Sequence, residues 1–146
     1  MIWLHAGILF ASYAAFGVAV VTGICFLIQD RWLKRKNPRV LKSPVPLEWL
    51  DRVNLWAVVV GSTLFVVGMG MGVWLARNQW GSFWNGDPKE VWSGLTLLAY
   101  AGILGLRWSA ALRGRKVVWL SVISFLLVLF TFVGVNYLGS SRHLFF

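Results

Sequence analysis

Cysteine is almost missing from this 146-residue chain: Cys25 is the only one. A disulfide within the chain is therefore impossible, and neither a CxxC redox pair nor a CxxCH attachment motif exists. Cys25 lies inside an apolar run and reads as a small buried residue. Acid is nearly as scarce, with five Asp and Glu against 14 Lys and Arg. Charged residues make up only 13% of the chain, about half of what a soluble domain carries. Histidine occurs twice, as His5 and His143. No Ser/His/Asp, Cys/His or paired-carboxylate arrangement falls on one face, so the chain does not read as an enzyme.

What is present is apolar surface. The chain is 58% hydrophobic, with a mean hydropathy of +0.70. The apolar residues gather in four runs, residues 2–29, 54–76, 88–106 and 117–138. Each is long enough to cross a hydrocarbon core of about 30 Å as a helix. The expected fold is an all-α integral membrane protein with four transmembrane helices, forming one membrane domain over residues 1–146. The longest polar stretch, about residues 29–47, is too short and too basic to bury a core of its own.

The formal charge of +9 raises the question of nucleic acid, and the positions answer it. Six of the 14 cations lie in RWLKRKNPRVLK, residues 31–42, and four more fall between Arg107 and Lys116. Both groups sit between apolar runs, where cytoplasmic loops carry their positive charge. No cation precedes the first run, the reverse of a secretory signal peptide. The expected topology has both termini outside, the two basic loops inside, and residues 78–90 outside. A bacterial inner (plasma) membrane protein of the multi-pass kind fits, and nucleic acid is not an expected partner.

Local signals sharpen this outline. Pro44 and Pro46 end the first inner loop, and PLEWLDR after them has the pattern of a short amphipathic piece at the interface. GMGMG places Gly68 and Gly72 four apart, which lets another helix approach closely. Asp87, Pro88 and Glu90 suit the N-cap, first and third positions of a third helix. Asn136 near the end of the last run is placed to hydrogen-bond a neighbouring helix.

The stretch WGSFWNGDPKEVW, residues 80–92, is unusually aromatic for a membrane-edge loop. His5 and His143 are four crossings apart, so they share its face. Neutral imidazole is the commonest biological metal ligand. Two imidazoles on either side of a planar porphyrin would leave its edges to flat apolar rings such as Trp and Phe. Arg77, Lys89 and Arg142 would supply cations for its propionates. Two His with one spare carboxylate make a poor tetrahedral zinc set. The alternatives are an interfacial aromatic belt and histidines that only hydrogen-bond at the membrane edge.

The same residues resemble the cytochrome c assembly family, the CcsA, ResC and CcmC type with its tryptophan-rich WWD signature. WGSFWNGDPKEVW resembles the signature loop, HAGILFASYAAF the span bearing a first outer His, and LEWLDR the approach to the next span. GRKVVWLSVISFLLVLFTFVGVNYLGSSRHLF is similar to the last span and a second outer His. The resemblance implies haem b binding, non-covalent and transient, with delivery in cytochrome c biogenesis at the outer face. It implies His5 and His143 as axial ligands of the haem iron. Trp80, Gly81, Trp84, Asp87, Pro88, Lys89, Glu90 and Trp92 would form the haem platform. The implied partners are a ResB/CcsB-like membrane protein and apocytochrome c, with further membrane subunits or self-association. A HemX-like regulator of haem biosynthesis and a haem-free membrane scaffold are the alternative functions. Gly86 stands where the family commonly has an aromatic, and the inner end of the third run, GILGLRW, lacks an intramembrane His that many relatives carry. The length resembles the family's shared module alone, a compact member or a fragment.

Overall fold

The computed structural model describes residues 1–36, 45–83, 86–109, 114–134 and 137. Among these the chain is all helical: α1 (Ile2–Lys34), α2 (Leu47–Trp80), α3 (Pro88–Trp108) and α4 (Arg115–Leu129). A π-helical turn, Phe130–Gly134, follows α4 directly. Three stretches, Ile2–Lys34, Leu47–Trp80 and Arg115–Gly134, are long and apolar enough to cross a membrane. The third helix is not among them. Its 21 residues include Glu90 in the first turn and Arg107 in the last, which dilute a short apolar centre.

The helices outrun the apolar segments because nothing in the sequence stops them. Asp30, Arg31 and Lys34 continue α1, and Lys34 pairs with Asp30 one turn away at 3.1 Å. The PLEWLDR segment is not a separate interfacial piece. Pro46 is extended (φ −64°, ψ 145°) and caps α2. Its carbonyl accepts the N–H groups of Trp49 (3.1 Å) and Leu50 (3.3 Å), so α2 runs unbroken from Leu47. A fixed φ and a missing N–H suit proline just ahead of a helix. The proposed packing residue Asn136, with Pro44, lies outside the described residues.

Contacts between the helices set their directions. Along α1, His5 and Leu9 meet Gly68, Phe16 meets Gly61, and Ala19 meets Asn54. As α1 advances α2 recedes, so the two are antiparallel. Phe10 and Tyr13 pack on Phe132, while Gly23 faces Val118 and Val122, so α4 also runs against α1. Trp92 meets Phe130 and Thr96 meets Thr131, and Arg107 at the far end of α3 reaches Asp51 and Asn54. The result is an up-down-up-down bundle. His5, the α2–α3 loop and the π-turn lie at one end. Asp30, Asp51, Arg107 and Arg115 lie at the other.

The interior is built from small and polar residues as much as from large apolar ones. Ser12, Asn54, Thr96, Ser121 and Thr131 have no exposed surface. Val18, Val21, Ile24, Ile28, Trp56 and Leu98 face outward instead. This distribution suits a helix bundle whose surroundings are lipid, where small residues let backbones approach and apolar side chains cost nothing outside. Phe16 stacks on Tyr100 at 3.9 Å between centroids and 13° between planes, tying α3 to α1. Cys25 departs from its expected place: it is exposed on the bundle surface. In a lipid-facing helix an apolar residue need not be buried in protein.

At the basic end, Asn54 joins all four helices. Its amide donates to the Ala19 carbonyl of α1 at 2.6 Å and to Ser121 of α4 at 3.4 Å. Its oxygen accepts from Arg107 of α3 at 2.6 Å. Arg107 also pairs with Asp51 at 3.2 Å, and Asp30 of α1 faces Arg115 of α4 at 3.6 Å.

Candidate functional site

The first turn of α1 carries His5, whose N–H bonds the Met1 carbonyl at 3.0 Å. Its ring leans across to α2. Nδ1 lies 2.9 Å from the Gly68 carbonyl oxygen. A carbonyl only accepts, so Nδ1 carries the proton and donates. In the neutral ring this leaves Nε2 as the nitrogen with the lone pair. The edge of the ring lies close to Gly72, where a Cβ would come within 2.9 Å of the imidazole Cε1. The spacing of Gly68 and Gly72 does permit close approach, as expected. What approaches at its outer end is the histidine.

The loop that follows α2 is shaped by its glycines. Gly81 ends the helix in the left-handed conformation (φ 72°), and its N–H returns to the Arg77 carbonyl at 2.9 Å. This is the usual glycine helix terminator. Gly86 is left-handed as well, at φ 68°. Its place where an aromatic is common therefore has a backbone reason, since a residue with a Cβ is strained there. The Arg77 guanidinium lies 4.4 Å from the centroid of the Phe83 ring. Trp80 is 38% and Phe83 55% exposed, so both rings present surface at this end of the bundle.

Asp87 is buried, at 9% exposure, despite its charge. Its carbonyl accepts the N–H groups of Glu90 (2.9 Å) and Val91 (3.3 Å), starting α3 at Pro88 as its sequence signals indicate. Trp92 is half-buried and packs edge-on against Phe130, 4.5 Å between centroids at 62°. Its carbonyl accepts the Thr96 hydroxyl at 2.9 Å. Thr96 in turn meets Thr131 at 3.3 Å, and Thr131 donates to Leu127 at 2.7 Å. Trp92 thus couples the start of α3 to the π-turn. Such turns are frequent near functional sites.

Of the proposed site residues, His5, Trp80, Gly81, Asp87, Pro88, Glu90 and Trp92 all come to this one end. Trp84, His143 and Arg142 lie outside the described residues, as does the side chain of Lys89. Among the described residues no group of three or more His, Cys, Asp or Glu side chains gathers as a metal site. Phe130 and the Gly68–Gly72 pair are members of this end that sequence reasoning did not connect to it. The glycines had a signal: antiparallel α1 and α2 put residue 5 opposite residue 72.

The comparisons with known proteins agree on one family. Residues 1–143 match the model of the cytochrome c assembly protein family. The chain is 29% identical to the cytochrome c biogenesis protein CcsA of Prochlorococcus marinus strain MIT 9312, over 97% of this chain and 53% of that protein. It is 32% identical to CcsA of Chlamydomonas reinhardtii, over 97% of this chain and 40% of the relative. It is 34% identical to protein NrfI of Wolinella succinogenes, over 96% of this chain and 15% of the relative. The chain thus spans about half the length of its Prochlorococcus relative, and less of the other two. No solved structure matches.

Proposed function

We propose that this chain, which belongs to the cytochrome c assembly family, binds haem and presents it for cytochrome c maturation at the outer face of a bacterial inner membrane. In this reading α3 also crosses the membrane, which makes four crossings, and both termini lie outside. His5 supplies one axial nitrogen and His143 the other. The carrying observation is the bond from His5 Nδ1 to the Gly68 carbonyl at the end of the bundle that bears the tryptophan-rich loop.

A planar iron macrocycle fits the residues at this end. An imidazole that donates through Nδ1 offers Nε2 to a metal, the arrangement common to metal-bound histidines. Trp80 and Phe83 offer exposed flat rings, and Arg77 supplies a cation beside them. Trp84, Pro88 and Lys89 complete the proposed platform, with Gly81 and Gly86 bending its backbone and Asp87 and Glu90 anchoring the start of α3. The haem, here cargo, supplies vinyl groups that react with cysteine thiols of apocytochrome c. This chain's residues hold and orient it, so the chain acts as a presenting protein rather than as an enzyme. A ResB/CcsB-like membrane partner and apocytochrome c are the proposed partners.

The test is the visible spectrum of protein purified from membranes and titrated with haemin. Wild type takes up haemin with a low-spin, two-nitrogen spectrum. His5→Ala and His143→Ala each lose that spectrum. A wild-type protein that stays colourless in excess haemin overturns the reading.

A further inference from the structure

We infer that Gly68 and Gly72 are positioning residues for His5: one fixes which ring nitrogen carries the proton, and the other fixes where the ring stands. The inference rests on the haem reading above. It adds a part that neither histidine nor loop supplies.

A second donor to a helical carbonyl meets an obstacle in any helix. The Gly68 carbonyl is the acceptor for the N–H four residues on, which is that of Gly72. A carbonyl oxygen has two lone pairs, so a second donor is welcome. An approaching donor must pass the side chain at the i+4 position, which stands beside that carbonyl. At Gly72 there is none. The His5 ring occupies the room: a Cβ on Gly72 would lie 2.9 Å from Cε1 and 3.6 Å from both ring nitrogens. The three atoms nearest to that Cβ all belong to the His5 ring. The gap at Gly72 is thus filled first by the imidazole.

The neighbouring glycines differ. A Cβ on Gly68 would strike Leu9 at 2.5 Å, so its smallness also serves the α1–α2 seam. A Cβ on Gly70, between them, meets nothing within 4 Å. The motif therefore contains its own control. Gly72→Ala must push the imidazole off the Gly68 carbonyl, because a histidine ring yields more easily than two packed helices. Gly70→Ala must not.

The consequence for a ligand is specific. With Nδ1 held by a carbonyl, Nε2 is the nitrogen offered to iron, and the ring plane is fixed by α2. Loss of such a supporting bond weakens metal binding by about 10–100-fold in other proteins.

Two measurements on the full chain in detergent test this. The first is the imidazole ¹⁵N spectrum of haem-free protein at mildly alkaline pH, with His5 identified by its loss in His5→Gln. Wild type and Gly70→Ala are expected to show the proton on Nδ1, and Gly72→Ala a mixture of tautomers. The second is haemin titration, in which Gly72→Ala binds about 10-fold more weakly or worse, with a weakened low-spin spectrum, while Gly70→Ala matches wild type. A wild-type His5 protonated on Nε2 overturns the inference. So does a Gly72→Ala protein with wild-type tautomer and wild-type haemin affinity. Wild-type protein that takes up no haemin overturns the haem reading itself, whatever the tautomer. Haemin uptake that Gly72→Ala leaves untouched overturns only the positioning.

Discussion

Arg107 donates to the side-chain oxygen of Asn54 at 2.6 Å, and this contact makes Asn54 the hub of the bundle's basic end. The hub is fully buried and bonds three other helices. Polar groups between membrane helices average only about 0.6 kcal/mol each. Their importance here lies in what removal leaves behind, a half-buried guanidinium and a carbonyl with fewer partners.

Asn54→Ala is therefore expected to cost about 2–3 kcal/mol, read from SDS-induced unfolding in bicelles. Asn54→Asp keeps the acceptor for Arg107 but sets a second oxygen against the Ala19 carbonyl, so it too should destabilise. An Asn54→Ala protein as stable as wild type would show that these bonds carry nothing. Asn78→Ala, at an exposed position of α2, is the reference and should change little.

Gly61→Ala should be costly for a different reason. The new Cβ would come within 2.7 Å of the Phe16 ring. That ring is fully buried and stacked on Tyr100 at 3.9 Å, so it has nowhere to turn. Overpacking of this kind costs about 1–3 kcal/mol. Phe16→Leu should relieve part of it, making the double variant less damaged than the sum of the two singles. Simple additivity would argue that Gly61 and Phe16 do not press on each other.

Much of this was legible in the sequence, and the remainder has physical causes. Four apolar runs with basic gaps announced the helices, and Asp87-Pro88 marked the start of α3. The side chains within the bundle were harder. Asn54 looked like the edge of an apolar run, because a linear pattern does not reveal that Ala19, Ser121 and Arg107 converge on it. Cys25 in an apolar run reads as a small buried residue, yet it is exposed, because lipid makes the outside equally acceptable. The Gly68–Gly72 spacing promised a close approach without naming the group that approaches, which required the register of α1 on α2. Gly86 looked like a lost aromatic until its left-handed φ supplied the reason.

Restoring an aromatic at position 86 is expected to harm rather than help. Space is not the obstacle, since a Cβ there meets nothing within 4 Å. The obstacle is φ 68°, which costs a residue with a Cβ about 1–2 kcal/mol. Gly86→Trp should loosen the loop, seen as faster proteolysis between α2 and α3, and bind haemin less tightly than wild type. Gly86→Asn should stay close to wild type, because Asn tolerates the left-handed region. Tighter haemin binding by Gly86→Trp would show that the ring matters more than the turn.

The direction of the bundle in the membrane follows from its length and charge. Helix α1 has 33 residues, about 50 Å at 1.5 Å per residue, against a hydrocarbon core of about 30 Å. The excess must emerge somewhere, and charge decides where. Asp30, Arg31 and Lys34 stand at the C-terminal end of α1, beside the basic segment that follows it. In a Cys25→Ala background, single substitutions report each level of the bundle. Lys36→Cys should react with an impermeant maleimide only after the membrane is opened, and Ser82→Cys from the outside in intact cells. Thr63→Cys, mid-helix and exposed, should resist both because lipid covers it. His143→Cys should behave like Ser82→Cys. Labelling of positions 82 and 143 from opposite sides would separate the second proposed ligand from the loop and from His5, and one haem could not then be held by both histidines.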